Sequence, residues 1–153
     1  MRLRLPPDET ARIISALRRG GAREVGGQLF GEQLAPSDFR ATRVTVQPQR
    51  GTVTRFVVDA WQAAREAVSF FRATGHAYRR FNSIGDWHSH PLFPVTPSGE
   101  DLATMRSLVA AADFRGSFAV MMIVRLDGGR LTAGAWLFDP QGAEFPIELE
   151  FEA

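Results

Sequence analysis

The chain contains the run His88-Ser89-His90-Pro91 directly after a strand-like segment, Phe81 to Trp87. Side chains alternate along a strand, so residues two apart share a face. The two imidazoles are therefore predicted to point the same way at the strand end. Three prolines between residues 91 and 97 stiffen the following loop, and Ser98 opens the next predicted helix. The chain is thus predicted to arrange a strand, a rigid loop and a helix around one point.

Asp101 is a third potential metal ligand near this pair. The stiff loop and the helix start fix where its carboxylate lies relative to His88 and His90. Two imidazole nitrogens and one carboxylate oxygen suit Zn²⁺ and leave a fourth position for water. Bound zinc lowers the pKa of that water to roughly 7 and polarises a carbonyl group. The sequence therefore predicts one catalytic zinc ion per chain, held by His88, His90 and Asp101.

A hydrolytic site also needs a proton acceptor, and Glu24 is the candidate. It lies beside a glycine-rich strand start, where it could pass the proton of water to a leaving amine. Ser98 could hydrogen-bond a developing oxyanion. Ser98 and Asp101 also have the spacing of a helix capping box, and the two roles are compatible. The remaining histidine, His76, follows Gly75 near a predicted helix end, where a surface or C-terminal capping position is expected.

Length and composition limit the classes of protein that this chain can belong to. Its 153 residues predict a single domain over residues 1–153, and 44% hydrophobic with 23% charged residues is typical of a globular protein. A net charge of +1 without a basic run argues against nucleic acid as a partner. The longest apolar run, Phe118 to Val124, is too short to span a bilayer, and the N-terminus lacks a signal-like segment. A cytoplasmic location without membrane association is expected.

The absence of cysteine removes several further classes. Disulfides, thiolate metal ligands and cysteine nucleophiles are all excluded. Zinc deaminases of the Pro-Cys-x-x-Cys type are excluded for the same reason.

Hydrophobic periodicity and turn residues predict an alternation of strands and helices. The predicted strands are Leu3 to Leu5, Val25 to Leu34, Phe39 to Val46, Thr54 to Val58, Phe81 to Trp87, Phe118 to Leu126, Leu131 to Phe138 and Phe145 to Phe151. The second and third strands, and likewise the sixth and seventh, are expected to form hairpins.

Three helices are predicted between these strands. The first runs from Pro6-Pro7 to Gly20-Gly21, the second follows Asp59 as N-cap, and the third follows Ser98. The second helix is expected to bury Trp61, Ala64, Val68 and Phe71 on one face. The third is expected to bury Leu102, Met105, Leu108 and Val109.

The motif residues together resemble a known family. Glu24 ahead of Gly27-x-Leu29-x-Gly31, then His88-Ser89-His90-Pro91, Ser98 and Asp101, are similar to the JAMM motif of the JAB/MPN metalloproteases. The resemblance implies an α/β MPN fold, with a mixed β-sheet flanked by helices, and zinc on the two histidines and the aspartate. It also implies that Glu24 handles the proton of water and that Ser98 steadies the tetrahedral intermediate. Inactive family members typically lose zinc ligands, which this chain retains.

The resemblance also implies a class of substrate. Active members of this family usually cleave after the C-terminal glycine of ubiquitin or a ubiquitin-like protein. The size of the chain resembles the stand-alone bacterial branch, which often accompanies E1-like and E2-like enzymes in antiphage or mobile-element operons. A deconjugase or precursor-processing peptidase for a ubiquitin-like protein is therefore expected. Its tail is expected to add as a strand to a sheet edge near Trp87, and Leu92, Phe93 and Val95 are either partner contacts or loop anchors.

Three alternatives remain open at this point. One is a peptidase that processes a sulfur-carrier protein, which genomic neighbours would distinguish. Another is a DNA-associated RadC-like protein, which the neutral charge and the short N-terminal helix disfavour. The third is a binding module in which zinc only stabilises the loop; four protein ligands on the ion would identify it.

Overall fold

The computed structural model describes residues 1–47 and 60–153 of the protein. The described ranges contain these elements: β1 (Arg2–Leu5), α1 (Pro7–Gly20), β2 (Gly26–Ala35), β3 (Asp38–Val44), α2 (Ala60–Ala73), β4 (Phe81–Ser89), α3 (Gly99–Ala110), β5 (Ala119–Asp127), β6 (Arg130–Phe138), β7 (Glu144–Pro146) and β8 (Glu148–Phe151). The predicted strand Thr54 to Val58 and the N-cap Asp59 lie outside these ranges. Over the described chain, no helix combines the length and apolar character that a membrane crossing requires.

The eight described strands form one mixed sheet in the order β7-β6-β5-β4-β2-β3-β1-β8. The β2/β3 and β5/β6 hairpins pair antiparallel, as the turn residues predicted. Strand β4 lies in the middle, antiparallel to β2 and parallel to β5. The mixed α/β fold expected from the sequence is therefore confirmed.

The C-terminal segment brings the two edges of the sheet together. Strand β7 pairs with β6 and β8 pairs with β1, although only Ile147 separates them along the chain. Ile147 N donates to Ala135 O at 2.9 Å, and Glu148 N donates to Met1 O at 3.1 Å. Eight strands spaced about 4.8 Å apart could not meet in this way unless the sheet curled strongly. The prediction of one continuous strand, Phe145 to Phe151, is wrong because the chain passes from one edge to the other at Ile147.

Two hydrophobic clusters lie on opposite faces of β5. Met122 packs in a cluster that includes Ile13 of α1, whereas its neighbour Ile123 packs in a cluster that includes Met105 of α3. Adjacent strand residues point to opposite faces, so α1 and α3 cover different sides of the sheet. The predicted core face of α3 is wrong at Leu108, which is 40% exposed, and right at Met105 and Val109, which are buried.

The face of helix α2 that contacts the sheet matches the predicted one only in part. Phe70 is 2% exposed and its ring stacks on Phe30 with 4.7 Å between centroids. Trp61 and Val68, predicted to be buried, are 83% and 56% exposed. Phe71, also predicted to be buried, is half-buried, and its ring centroid lies 6.3 Å from that of Phe30. The prediction relied on the large apolar side chains, whereas the face against the sheet combines Phe70 with half-buried alanines. Small side chains allow a helix to lie close to the strands beneath it.

Candidate metal centre

Strand β4 delivers the two histidines to the face of the sheet covered by α3. His88 lies opposite Ile123 of β5 in the parallel register, and Trp87 lies opposite Met122. Because Ile123 belongs to the α3 cluster, the imidazole of His88 is on that side. Trp87 is fully buried on the other side, where its Nε1 donates to Thr45 O at 2.9 Å. This anchoring fixes the rotation of the strand and hence the direction of His88.

The same topology overturns the expected docking of a substrate tail at an edge near Trp87. Strand β4 is hydrogen-bonded on both sides, by β2 and by β5 over Gly85 to Ser89. A strand already paired on both sides has no free backbone groups for an added strand. That expectation is therefore wrong.

His88, His90 and Asp101 come together as the sequence predicted. Their ligand atoms all lie within 4.8 Å of one another. The two Nε2 atoms are 3.1 Å apart, His88 Nε2 is 3.3 Å from Asp101 Oδ1, and His90 Nε2 is 3.4 Å from Asp101 Oδ2. A tetrahedral zinc site with metal–ligand distances of about 2.0 Å has edges of about 3.3 Å between ligand atoms. The two histidine nitrogens have that spacing, and each also has it to one oxygen of Asp101, Oδ1 for His88 and Oδ2 for His90.

A contact on the far side of the His90 ring supports this fit. His90 Nδ1 lies 2.8 Å from the carbonyl oxygen of Pro94, which can only accept a hydrogen bond. The proton therefore belongs on Nδ1, and Nε2 presents a lone pair towards His88 and the carboxylate of Asp101. Such a partner on the second ring nitrogen is usual for metal-binding histidines. Lone pairs that converge on one point are stabilised by a cation.

Asp101 is held in its ionised form by its neighbours. Burial raises its pKa, but hydrogen bonds from His88 and Ser98 outweigh burial and bring the pKa well below its usual range. Ser98 N and Ser98 Oγ donate to Asp101 Oδ2 at 2.8 and 2.7 Å, and Asp101 N donates back to Ser98 Oγ at 3.1 Å. This is the capping box that the spacing predicted. The other carboxylate oxygen of Asp101, Oδ1, faces His88 Nε2.

Glu24 precedes the start of β2, at the register position opposite His90. Ser89 N donates to Val25 O at 2.8 Å, and Val25 N donates to Ser89 Oγ at 2.9 Å. Extending this antiparallel register by one residue sets Glu24 opposite His90, on the same face of the sheet. Glu24 is only 5% exposed. The fully buried Ser89 thus ties the start of β2 to the end of β4, a role that the sequence argument did not assign.

A second carboxylate near the cluster was also missed. Asp86 is two residues before His88, and the alternation of β4 sets both on one face. Burial raises the pKa of Asp86 to about 6, and the neighbouring His88 opposes that rise. Its position two residues before His88, a predicted ligand, was the sequence signal that could have identified Asp86.

The loop after His90 has an exposed tip and an anchored end. Leu92 and Phe93 are 61% and 46% exposed, whereas Val95 packs against the α3 cluster. Arg125 of β5 donates to Phe93 O at 3.0 Å and pairs with Asp127 at 2.8 Å. The loop-anchor interpretation is thus confirmed for Val95. His76 is exposed, as expected for a surface position, and its Nδ1 lies 2.8 Å from Tyr78 Oη.

Comparison with known proteins identifies the family. Residues 6–137 match the family model described as prokaryotic homologues of the JAB domain. The chain belongs to the prokaryotic JAB-domain family. The resemblance seen in the motif residues is therefore confirmed over most of the chain.

Several known proteins are similar to this JAB domain. COP9 signalosome complex subunit 5 of Emericella nidulans is 30% identical over 145 residues, which cover 92% of this chain and 41% of that protein. A CD-NTase/cGAS isopeptidase of Enterobacter hormaechei is 26% identical over 150 residues, covering 90% of this chain and 74% of that protein. The chain spans about two fifths of the length of its fungal relatives. A solution structure from Desulfitobacterium hafniense has the same fold, with a TM-score of 0.73 at 20% identity over 98% of this chain and 92% of that one.

Proposed function

We propose that this protein is a zinc-dependent hydrolase that cleaves the bond after the C-terminal glycine of a ubiquitin-like protein, in deconjugation or precursor processing. The observation that carries the proposal is the convergence of His88 Nε2, His90 Nε2 and the Asp101 carboxylate at 3.1 to 3.4 Å. Three ligands at tetrahedral spacing leave one position for substrate or water, as in catalytic zinc sites. A bound zinc ion would supply an acidified water and polarise the scissile carbonyl.

Glu24 is the proposed general base. Its buried carboxylate, at the register position opposite His90, is suited to accept a proton from the attacking water and return it to the leaving amine. Because Glu24 lies opposite a metal ligand in the strand register, proton transfer does not require a large movement of the chain. The hydrogen bonds between Val25 and Ser89 hold that position at 2.8 and 2.9 Å.

Ser98 is proposed to act twice. Its hydroxyl orients Asp101 through the capping box. Because the Ser98 hydroxyl donates to Asp101 Oδ2, with Oγ and Oδ2 2.7 Å apart, a bond to the oxyanion requires the hydroxyl to rotate. Ser98 N continues to donate to the carboxylate. The proposed role in stabilising the tetrahedral intermediate is compatible with this geometry.

The substrate class rests on the relatives. One similar protein is named as an isopeptidase and belongs to a bacterium, and this supports a ubiquitin-like protein or its conjugate as the partner here. E1-like and E2-like enzymes encoded in the same operon are proposed as further partners, in a bacterial antiphage or mobile-element system. The exposed Leu92 and Phe93 at the loop tip are proposed contacts for the partner protein, in the cytoplasm.

The test is a cleavage assay with the ubiquitin-like proteins of the same genome. Each is fused through its C-terminal glycine to a reporter and incubated with zinc-loaded protein. The expected result is a cut after the glycine that a chelator abolishes and added zinc restores. If no ubiquitin-like fusion or conjugate is cut while a sulfur-carrier precursor is, the substrate assignment is wrong. If the protein binds zinc and cuts neither, the hydrolase assignment is wrong.

A further inference from the structure

A second cleft lies at the end of β4 far from the metal ligands. It has a volume of about 370 Å³ and is lined on its polar side by Arg79, Asn82, Ser83, Arg115 and Ser117. The cleft exists because β4 pairs with β5 only from Gly85 onwards. Before that point the chain entering β5 diverges from the start of β4. We call this opening the cationic cleft.

The charge of the cationic cleft is not neutralised. Arg79 makes no hydrogen bond or ion pair with any described residue, and Arg115 donates only to the backbone oxygen of Ala112 at 3.0 Å. Arg80, by contrast, is paired with Glu32 at 2.5 Å. Among the described residues that line the cleft, none is acidic. Two guanidinium groups without an acidic partner among the described residues therefore line one opening.

Part of the remaining wall of the cleft is apolar. Phe39 and Phe118 line it, with their rings 5.3 Å apart and inclined by 70°, and the buried Ile84 forms part of the floor. Serine and asparagine side chains complete the polar side. Small-molecule sites typically combine an apolar lining with a few polar groups in volumes of about 300 to 1,000 Å³.

We propose that the cationic cleft binds a phosphate monoester that carries an aromatic ring. Arginine is suited to phosphate because its planar guanidinium offers two parallel donors. Two unneutralised guanidinium groups match the double negative charge of a phosphate monoester better than the single charge of a carboxylate. The aromatic wall accommodates the ring. This site is separate from the metal centre and does not depend on the proposed hydrolase activity.

The test uses phenyl phosphate as the probe with isotope-labelled, metal-free protein. Metal-free protein is used because phosphate also binds zinc. Saturable amide shifts are expected at Asn82, Ser83 and Ser117 at millimolar concentration of the probe or below. Benzoate, which has the ring and one charge, is expected to bind about tenfold more weakly. The proposal would be overturned if the shifts were confined to the histidines of the metal centre or were not saturable. Equal affinity for benzoate would also overturn it.

Matched arginine variants locate the site. Arg79→Gln removes a guanidinium that makes no hydrogen bond or ion pair with any described residue. The variant is therefore expected to fold normally and to weaken phenyl phosphate binding about tenfold. Arg115→Gln tests the second guanidinium in the same way. Arg130→Gln at the β5–β6 turn is the control, since Arg130 is exposed and lies outside the cleft. An equal loss in the Arg130 variant would show unspecific charge attraction and would contradict a built site.

Discussion

His90 Nδ1 lies 2.8 Å from the carbonyl oxygen of Pro94, so the imidazole that faces the metal position is oriented by the loop that follows it. The same loop leads into α3 and thereby sets the position of Asp101. Two of the three potential ligands thus depend on one proline-rich segment. The loop links the ligands to each other as well as to the rest of the fold.

Arg125 is expected to tune metal affinity through this loop. Its guanidinium holds Phe93 O at 3.0 Å, one residue before the carbonyl that orients His90. We predict that Arg125→Met lowers zinc affinity about tenfold, the lower end of the range for lost outer-shell partners. Competition with a chromophoric chelator measures it. Arg130→Met is the control, and equal affinities in the two variants would refute the coupling.

Metal binding and proton transfer are expected to separate by mutation. His88→Ala removes one of three ligands, so stoichiometric zinc should be lost. Glu24→Gln keeps the shape of the side chain, so zinc and fold should be retained while cleavage falls about a hundredfold or more. Zinc content and cleavage rate are measured on the same preparations. Wild-type cleavage by Glu24→Gln would show that another group is the base.

The capping box is expected to contribute to stability independently of catalysis. Ser98→Ala removes the Oγ bonds to Asp101 at 2.7 and 3.1 Å. We predict a loss of about 1 kcal/mol in the free energy of unfolding, as for other N-cap serines, measured by urea denaturation. Ser107→Ala, at an exposed position of the same helix, should change it by less than about 0.5 kcal/mol. Equal effects would argue against the cap.

Gly85 is expected to be intolerant of any side chain. A Cβ there would collide with Val120 O on the neighbouring strand. Because β4 lies in the middle of the sheet, Gly85→Ala should reduce the free energy of unfolding by about 2 to 4 kcal/mol. Gly99→Ala is the matched control, because a Cβ at Gly99 meets nothing within 4 Å. Thermal unfolding compares the two, and a stable Gly85→Ala protein would show that the strands can separate at this point.

Sequence reasoning found the local features because local rules set them. Two-residue alternation predicted that His88 and His90 lie together, the Ser-x-x-Asp spacing predicted the capping box, and turn residues predicted the β5/β6 hairpin. Each depends on residues close in the chain. Periods and turn chemistry describe such features directly.

The features that were missed depend on residues far apart in the chain. The contact of Phe70 with Phe30, 40 positions away, decides which face of α2 packs against the sheet. The break at Ile147 is decided by two sheet edges that meet only after folding. The pairing of β4 on both sides, which closes the expected docking edge at Trp87, is likewise a property of the whole sheet. Periodicity carries no information about any of them.

X-ray absorption at the zinc edge of the zinc-loaded protein tests the proposed catalytic site at the level of individual ligands. We expect one zinc ion per chain with two imidazole nitrogens, one carboxylate and one exchangeable solvent oxygen at about 2.0 to 2.1 Å. The expected results for the variants are no stoichiometric zinc in His88→Ala and an unchanged zinc shell in Glu24→Gln. A zinc ion closed by a fourth protein ligand, or no stoichiometric zinc, would contradict a catalytic site at His88, His90 and Asp101.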